Sequence, residues 1–457
     1  MIASLDDVER LLRPAGYLGF AARPLYLLPL LRTGCLSELL TVEGADVGWA
    51  ERFGARVHSL EEQIARREDT LSGRHLEELM DLLPALIGNR WRGREFGLAA
   101  YGTYREHWRQ AIERTGASLL VPPAPGGGDL LTDKVLMRDW FEHLGVPAPA
   151  SVVVDSIDYQ LLSGKFGPVF VAQKPKGSSG GNGTYLVTGE QEARELPQRS
   201  RWLVSEYAGD TTFSFSGFVP REGFPEVLRP ALQLTGVEGL GSGFGGYVGT
   251  DFQAPALLPA DALATGRDAM ERIGRGLAEL GYRGIYGGDF ALRADGSVAT
   301  LEINCRVLGS TWLLGELEFG AGLLPTMVRH FAERHGHDTI GKPDLDPVDA
   351  VQLTIRHIDS AAVLLEAPTG GVYALEGDRL VFRRPGAGLL ECGPARTQEC
   401  VLVNLPRAGT LLNPGGILGR LVTRRPLTVA DGRSLNPHGQ VLVNAMRRLY
   451  SFVNPAS

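Results

Sequence analysis

The spacing of apolar residues changes along the chain, and each change predicts an element. Between residues 132 and 145 the apolar positions recur with helical spacing, and Thr132 or Asp133 can cap the first turn. Gly145 follows the last of these positions, where glycine commonly ends a helix. The sequence therefore predicts a helix with one buried face. The residues of that face are Leu136, Trp140, Phe141 and Leu144.

Short apolar runs follow this helix, and their bounding polar and glycine-rich segments predict strands. Helical spacing returns in two later segments, and each of them ends at a glycine. A further helix is predicted near the end of the chain, at 443–452. The predicted strands are 151–154, 169–173, 185–187 and 202–207, and the other predicted helices are 261–280 and 326–336.

The pattern of apolar and turn residues at the two ends of the chain differs from that in its middle. Residues 1–122 mix short helical stretches with apolar runs and predict an N-terminal α/β domain, which ends at a segment rich in proline and glycine. Residues 123–340 carry the mixed pattern described above, and residues 345–457 predict a mostly β C-terminal domain. The expected fold class is a multidomain α/β and α+β protein. The aromatic residues expected in the N-terminal core are Trp91, Tyr101, Tyr104 and Trp108.

The strongest local signal is the dipeptide of Asp295 and Gly296 between two alternating runs, because this pair is typical of a tight β-hairpin. A two-residue turn at this dipeptide makes Ala294 face Ser297. The same register places Asp289 directly opposite Glu302. The sequence therefore predicts two carboxylates that face each other across a strand pair.

Two facing carboxylates repel each other unless a cation lies between them. Asn304 lies on the same face and adds a third oxygen. Carboxylate and amide oxygens suit Mg²⁺, which usually shares its ligands with substrate phosphates. We therefore predict a magnesium site of Asp289, Glu302 and Asn304, and a solvated hairpin face is the alternative. The residues expected on the opposite, core face are Phe290, Leu292 and Leu301.

A loop rich in glycine and serine, 175–183, lies between two predicted strands. Lys174 ends the first strand and Lys176 lies in the loop. Glycines let backbone N–H groups approach a phosphate closely, and lysine is a compact charge suited to the same group. Only five of the 46 basic residues are lysines. The pattern favours a phosphate-binding loop, and a plain flexible linker is the alternative.

A second glycine-rich segment, 241–246, matches the dinucleotide-binding pattern G-x-G-x-x-G. That pattern requires a strand before it and a helix after it, and residues 247–252 have no helical spacing. We therefore reject dinucleotide binding here. The segment is predicted to be a loop that closes over a substrate, and an inert surface loop is the alternative.

Composition narrows the classes of function. A net charge of −7 argues against binding of nucleic acid or of an anionic membrane by bulk charge. The most apolar stretch, 11–40, is interrupted by arginines and prolines, and the first ten residues are too acidic for a signal peptide. The four cysteines form no close pair, so reduced thiols are expected. We expect a cytoplasmic protein with neither a nucleic-acid nor a membrane partner.

The order of these features resembles the ATP-grasp superfamily over residues 130–320. The features are a first lysine, a second lysine with a glycine loop, a strand with a glutamate, and the D…E-x-N pattern. The resemblance implies a pre-ATP-grasp domain over 1–122 and a two-subdomain ATP-grasp core over 123–340. Within the superfamily, the chain looks most similar to peptide ligases of the pheganomycin-ligase type, which act in bacterial natural-product biosynthesis.

The resemblance also implies roles for particular residues. Arg306, Lys174 and Ser310 are implied as catalytic residues, with Arg306 steadying the transferred phosphate and Ser310 in the turn that binds the acyl group. Two departures from the family pattern leave contacts unassigned, because 208–212 lacks the usual ribose-binding glutamates and Gly287 replaces an arginine of some relatives. The implied metal ligands are Asp289, Glu302 and Asn304. The implied nucleotide-binding residues are Lys134, Lys174, Lys176, Ser178, Ser179, Gly180, Gly181 and Glu206.

The activity implied is ATP-dependent ligation. ATP phosphorylates a carboxylate, and an amine then attacks the acyl phosphate to give an amide, ADP and phosphate. ATP and two Mg²⁺ ions are the implied cofactors, the partners are a small acid and an amine or short peptide, and a homodimer is the default expectation. Two alternatives remain open: another nucleophile, such as a thiol or a carbamoyl acceptor, or a module that binds ATP without turnover.

Overall fold

Five parallel strands form the first sheet of the chain. The computed structural model describes residues 1–454 apart from 15, 66, 69–74, 103, 125, 177–180, 341–344 and 346–348. The strands of this sheet are β1 (Tyr17–Ala21), β2 (Leu36–Thr41), β3 (Arg56–Ser59), β4 (Glu95–Ala100) and β5 (Ser118–Leu120), and the helices around it are α1 (Leu5–Leu11), α2 (Leu28–Arg32), α3 (Val47–Arg52), α4 (Leu60–Ile64), α5 (Leu76–Ile87) and α6 (Glu106–Glu113). The strand order β3-β2-β1-β4-β5 confirms the α/β character predicted for this region.

A four-stranded antiparallel sheet follows, with strand order β6-β9-β7-β8. Its elements are α7 (Lys134–His143), β6 (Ser151–Val154), α8 (Tyr159–Phe166), β7 (Phe170–Gln173), β8 (Thr184–Val187), α9 (Glu190–Glu195) and β9 (Trp202–Glu206). All four strands fall where the sequence predicts them, and the side chain of Asp133 caps α7 by accepting from the Val135 N–H at 2.9 Å. One residue of the predicted helix face is wrong: Leu136 is 42% exposed, and Met137 is buried instead.

The largest sheet has ten antiparallel strands and runs from the middle of the chain into its C-terminal part. Its first half contains β10 (Thr211–Val219), β11 (Glu226–Thr235), β12 (Tyr247–Asp251), β13 (Gly284–Leu292) and β14 (Val298–Asn304), with helices α10 (Ala260–Glu279), α11 (Thr311–Gly320) and α12 (Thr326–Arg334). The C-terminal elements are β15 (Val351–Arg356), β16 (Ala362–Glu366), β17 (Gly371–Glu376), β18 (Arg379–Arg384), β19 (Glu399–Val403), β20 (Leu411–Leu412), β21 (Ile417–Thr423), α13 (Pro437–Arg447) and β22 (Ser451–Val453).

Strand β12 pairs with β15, and this pairing joins the two halves of the sheet. The order is β14-β13-β10-β11-β12-β15-β21-β19-β17-β18. A Cβ atom at Gly249 would lie 2.0 Å from the carbonyl oxygen of Gln352, so glycine is needed where the two strands meet. The C-terminal part is mostly β, as its turn-rich sequence predicts. The domain boundaries at 122 and 345 stay predictions, and the second of them lies between two paired strands.

The last predicted helix is shifted in the structure. Helix α13 ends at Arg447, and the segment expected to complete it forms β22, which pairs with β16. Helix α10 packs under the large sheet, where Met270, Ile273 and Leu277 contact the core that also contains Phe213 and Phe290. That packing leaves the opposite face of β13 and β14 for polar groups. Within the described residues, none of the helices combines the length and the apolar character that crossing a membrane requires.

Candidate active site

The hairpin of β13 and β14 brings Asp289 opposite Glu302, as the sequence predicts, but the turn differs from the prediction. Arg293, rather than Ala294, faces Ser297, because the Arg293 N–H donates to the Ser297 carbonyl at 2.8 Å. The loop has three residues, and Gly296 adopts a φ of +85° at its end.

A β-bulge then corrects the register. Near the turn, Ala291 pairs with Ala299, and the pairing shifts by one residue between Phe290 and Asp289. A bulge adds one residue to one strand, so every later residue of that strand changes its partner. The two departures from a regular two-residue hairpin therefore cancel before the acids are reached.

The two acids have separate partners in the site. Glu302 Oε1 forms an ion pair with Lys134 Nζ at 2.5 Å. Asp289 accepts from Gln233 Nε2 at 2.6 Å and from Asn304 Nδ2 at 3.2 Å. Burial, together with the charge of Glu302, raises the pKa of Asp289 to about 7. The hydrogen-bond donors to Asp289 among the described residues are neutral, and the charges of Arg306 and Lys134 offset only part of the rise in its pKa.

The donor set fits a magnesium ion that is held jointly with phosphate oxygens. In the part of the chain that the structure describes, no three His, Cys, Asp or Glu side chains form a metal-binding group. Asp289, Glu302 and the Asn304 amide oxygen supply three hard oxygen ligands, fewer than an all-protein site needs. Burial raises the pKa of a carboxylate because it destabilises the charged form, and a nearby cation stabilises that form. The residues present can therefore hold the ion only together with a ligand.

Arg306 and Ser310 lie on the turn that follows β14. Arg306 Nη2 donates to Asn304 Oδ1 at 3.0 Å, and the arginine side chain is exposed. Ser310 precedes α11, whose first residue Thr311 accepts from the Leu308 N–H at 2.9 Å through its hydroxyl group. The structure thus places Arg306 beside the acid pair and Ser310 at the start of a ten-residue helix.

The three lysines predicted for phosphate binding have different environments. The backbone N–H of Lys134 donates to the Pro175 carbonyl at 3.0 Å, which ties helix α7 to the glycine loop. Lys176 Nζ lies 3.4 Å from a carboxylate oxygen of Asp133. Lys174 is exposed at the end of β7. Ser178, Ser179 and Gly180 lie outside the described residues, so their predicted roles stay predictions.

The two glycine-rich segments of the sequence contact each other. A Cβ atom at Gly181 would lie 2.2 Å from the carbonyl oxygen of Gly245, and Gly181 has a φ of +86°. The segment 241–246 connects two strands rather than a strand and a helix, which confirms the rejection of dinucleotide binding. The loop of the small sheet and a loop of the large sheet therefore meet backbone to backbone.

Glu206 lies on the opposite side of the site, at the end of β9. Its carboxylate accepts from Arg293 Nη2 at 2.5 Å and from the Ala150 N–H at 3.2 Å. A small apolar floor lies between this pair and the acids. The sequence predicts Leu301 in the main core, but in the structure Leu301 packs against the alanines of this floor. The floor consists of Ala208, Ala291, Ala299 and Leu301.

Sequence reasoning missed Gln233 and Arg293, although both touch predicted site residues. Gln233 interrupts an apolar run in β11, and that single polar position was the available signal. Arg293 gave no such signal, because its role follows from the three-residue loop that replaces the predicted turn. Of the four aromatic residues predicted in the N-terminal core, Trp91 and Trp108 are buried, and Tyr101 and Tyr104 are partly buried and pack against core clusters. Tyr101 also stacks on Tyr26, with ring centroids 4.1 Å apart.

Comparison with known proteins bears on the fold. No protein-family model and no curated protein matches this sequence. Solved structures do match over nearly the whole chain. N5-carboxyaminoimidazole ribonucleotide synthetase from Thermotoga maritima matches with a TM-score of 0.54 at 13% identity, and the match covers 96% of this chain and 99% of that chain.

Two biotin carboxylases match similarly. The enzyme from Campylobacter jejuni has a TM-score of 0.62 at 10% identity, covering 96% of this chain and 92% of that one. The biotin carboxylase domain of the Hydrogenobacter thermophilus 2-oxoglutarate carboxylase has a TM-score of 0.57 at 13% identity, covering 96% and 90%. At these identities the similarity shows the fold alone, and the expected multidomain α/β and α+β fold class is confirmed.

Proposed function

We propose that the protein is an ATP-dependent ligase that joins a carboxylate to an amine through an acyl phosphate. The observation that carries this proposal is the facing pair of Asp289 and Glu302, with Lys134 Nζ 2.5 Å from Glu302 Oε1 and with hydrogen bonds from neutral donors at Asp289. Structures with the same fold are described with MgADP and with ATP, which supports a nucleotide at this place.

In this proposal each group has a stated task. Asp289, Glu302 and Asn304 would hold Mg²⁺, and the bound ion would supply positive charge to the phosphates. Lys134, Lys174 and Lys176 bind phosphate oxygens, together with the glycine loop at Gly181. The alanine floor accommodates the base, and Glu206 lies at its edge, where it exchanges its contact with Arg293 for one with the nucleotide.

The reaction has two steps, and each step forms one bond and breaks another. A carboxylate oxygen of the acid attacks the γ-phosphorus of ATP, and ADP leaves. The amine nitrogen then attacks the acyl carbon, phosphate leaves with the bonding electron pair, and the nitrogen loses a proton to give the amide. Arg306 stabilises charge on the transferred group, and Ser310 at the start of α11 binds the acyl oxygen. Contact between the two glycine loops excludes water from the activated acid.

The acid in this proposal is an amino acid or a related compound, and the amine is an amino acid or a short peptide. A second candidate acid is bicarbonate, because one structure with this fold is described with a bicarbonate anion. The two candidates differ in the product. Labelled bicarbonate is incorporated only in the second case.

The proposal is tested by ADP formation with pools of amino acids and peptides, with hydroxylamine added to trap the activated acid. Glu302→Gln is expected to lower turnover by about a hundredfold or more, because a transition-state charge contact is lost. Glu279→Gln, the same change at an exposed position of α10, is the matched control. ATP binding without ADP formation or a trapped product would identify a binding module instead.

A further inference from the structure

Three arginines and three tyrosines from separate segments of the chain meet beside the turn that carries Arg306 and Ser310. The group draws on the N-terminal domain, on β12 and on two C-terminal strands, and we call it the arginine–tyrosine cleft. A Cβ atom at Gly309 would lie 3.7 Å from Tyr247 Cε1 and 3.9 Å from the Tyr101 hydroxyl oxygen. The residues of this group are Arg23, Tyr26, Tyr101, Tyr247, Arg356 and Arg420, which are linked by hydrogen bonds, ring stacking and charge interactions.

Contacts within the cleft are specific. Arg420 Nη2 donates to the Tyr26 hydroxyl group at 2.8 Å, and Arg420 Nη1 donates to Gln352 Oε1 at 3.2 Å. The Tyr26 ring is itself stacked on the Tyr101 ring. These contacts hold the Arg420 guanidinium in place, and the residue is only 5% exposed.

The cleft has an excess of positive charge. Arg23 is neutralised by Glu43, with Nη2 and Oε1 2.5 Å apart. Among the described residues, neither Arg356 nor Arg420 forms an ion pair with a carboxylate. A buried guanidinium without a counter-charge is costly, since only a paired charge recovers its desolvation energy. Arg356 Nη1 donates to the Gly415 carbonyl at 2.7 Å, and Arg420 has only the neutral acceptors named above, so within the described chain both charges lack a carboxylate partner.

Three polar atoms in the cleft also lack hydrogen-bond partners among the described residues. They are Arg356 Nε, Arg420 Nε and the Tyr247 hydroxyl oxygen, and all three are buried. Each of them can donate one hydrogen bond. Native structures satisfy nearly all such groups, so several unsatisfied donors in one place point to a missing acceptor.

We infer that the arginine–tyrosine cleft binds an oxyanion, a carboxylate or a phosphate, carried by the amine substrate. The inference rests on the proposed ligase function and adds the chemical class of its second substrate. Arginine recognises carboxylate and phosphate through fixed N–H groups, and a tyrosine hydroxyl group adds a further donor. An amine held this way lies beside the turn of Arg306 and Ser310, where the activated acid is expected.

The test measures binding rather than turnover. Equilibrium dialysis of the full-length protein is carried out with three pools: dipeptides with a free carboxylate, the same dipeptides as C-terminal amides, and amine phosphate monoesters such as phosphoethanolamine. One anionic pool is expected to bind at least about tenfold more tightly than the amides, the effect of a charge-assisted hydrogen bond. The pool that binds distinguishes carboxylate from phosphate.

Variants assign the binding to the cleft. Arg420→Gln is expected to weaken binding of the anionic pool about tenfold or more, and Tyr247→Phe about threefold to tenfold. Tyr247→Phe removes a hydroxyl group without a described partner, so the fold should tolerate it even if Arg420→Gln is unstable. Arg275→Gln, at an exposed position of α10, is the matched control and should bind like the wild type.

Several results would overturn the inference: equal binding of amides and acids, no binding of either anionic pool, or unchanged binding by Tyr247→Phe. Hydroxylamine-trapped turnover is measured on the same preparations. Anion binding at the cleft without turnover would refute the ligase function and leave the oxyanion site intact. Turnover without a preference for anionic amines would refute the oxyanion site alone.

Discussion

Single side chains decide how charge is distributed in the candidate site. Lys134 already neutralises Glu302, while the described hydrogen-bond donors to Asp289 are the neutral amide groups of Gln233 and Asn304. Lys174 differs from Lys134, because Lys174 is exposed and has no ion-pair partner among the described residues. A lysine in this state is available for a ligand.

Lys174→Ala is therefore expected to raise the KM for ATP about tenfold or more, since a phosphate contact is lost without disturbing a packed region. The KM is measured by ADP formation at saturating acid and amine. Lys165→Ala, at an exposed position of α8, serves as the control. An unchanged KM for ATP would remove Lys174 from the nucleotide site.

Contacts between residues were predictable only where they follow from the alternation of side chains along neighbouring strands. The facing acids follow from the alternation of the two strands, which a bulge restores after a three-residue loop has shifted it. The ion pair of Glu206 and Arg293 depends on that loop and on a second sheet, so no local pattern could predict it. The same holds for Arg420 and Tyr26, which lie nearly four hundred residues apart in the chain.

At the scale of elements, the contact between α12 and β13 contains a buried histidine. His330 Nδ1 accepts from the Ile285 N–H at 3.1 Å, and a Cβ atom at Gly284 would lie 2.2 Å from the same nitrogen. Burial, with the nearby charges of Arg334 and His335, lowers the pKa of His330 to about 3. The fold therefore requires the neutral ring.

The sign of the pH effect follows from this shift. The unfolded chain binds a proton at His330 near pH 6.5 and the folded chain only near pH 3, so stability is lost as the pH falls between these values. At pH 5.5 the loss from this group is about 1.4 kcal/mol. His330→Asn keeps an acceptor for Ile285 but does not titrate.

We expect His330→Asn to have a lower Tm than the wild type at pH 7.5 and a smaller fall in Tm between pH 7.5 and 5.5. His143→Asn, at the exposed end of α7, should show the wild-type fall. Thermal unfolding at the two pH values is the measurement. Equal falls in all three proteins would show that His330 does not titrate as described.

Helices and strands were predictable where a periodic pattern of apolar residues was bounded by turn residues at both ends. Strand β6 and helix α10 lie within one residue of their predicted bounds, because turn residues flank strongly periodic runs. The last helix was placed too late, because the apolar residues of 451–453 continue its pattern but pair with β16 instead. That pairing is made with a distant strand, so the local sequence carries no sign of it.

The whole molecule is organised by the ten-stranded sheet. Asp289 lies on β13 near one edge, and Arg356 and Arg420 lie on β15 and β21 beyond the middle. The sequence predicted a β-rich C-terminal region but not that its strands extend the central sheet. The pairing of β12 with β15 joins segments about a hundred residues apart, and sequence period alone does not specify such partners.

Truncation tests this organisation. A chain that ends at residue 345 loses the partners of Gly249, Thr250 and Asp251 and exposes the edge of β12. An exposed, unpaired edge favours aggregation. We expect the truncated chain to be largely insoluble or aggregated by size-exclusion chromatography, whereas a chain ending at residue 454 should elute like the full-length protein. A soluble, unaggregated product ending at 345 would show that the first part of the chain folds without the C-terminal strands.

The junction of β12 and β15 also limits how such a protein can be recombined. A chimera that takes its C-terminal part, from residue 345 onward, from a relative must pair two strands that did not evolve together. Gly249 leaves no space for a side chain against Gln352, so even a small residue at the first position would push the foreign strand away. Exchanges that aim to change what the chain binds are therefore better made by replacing side chains on the existing strands than by splicing whole segments.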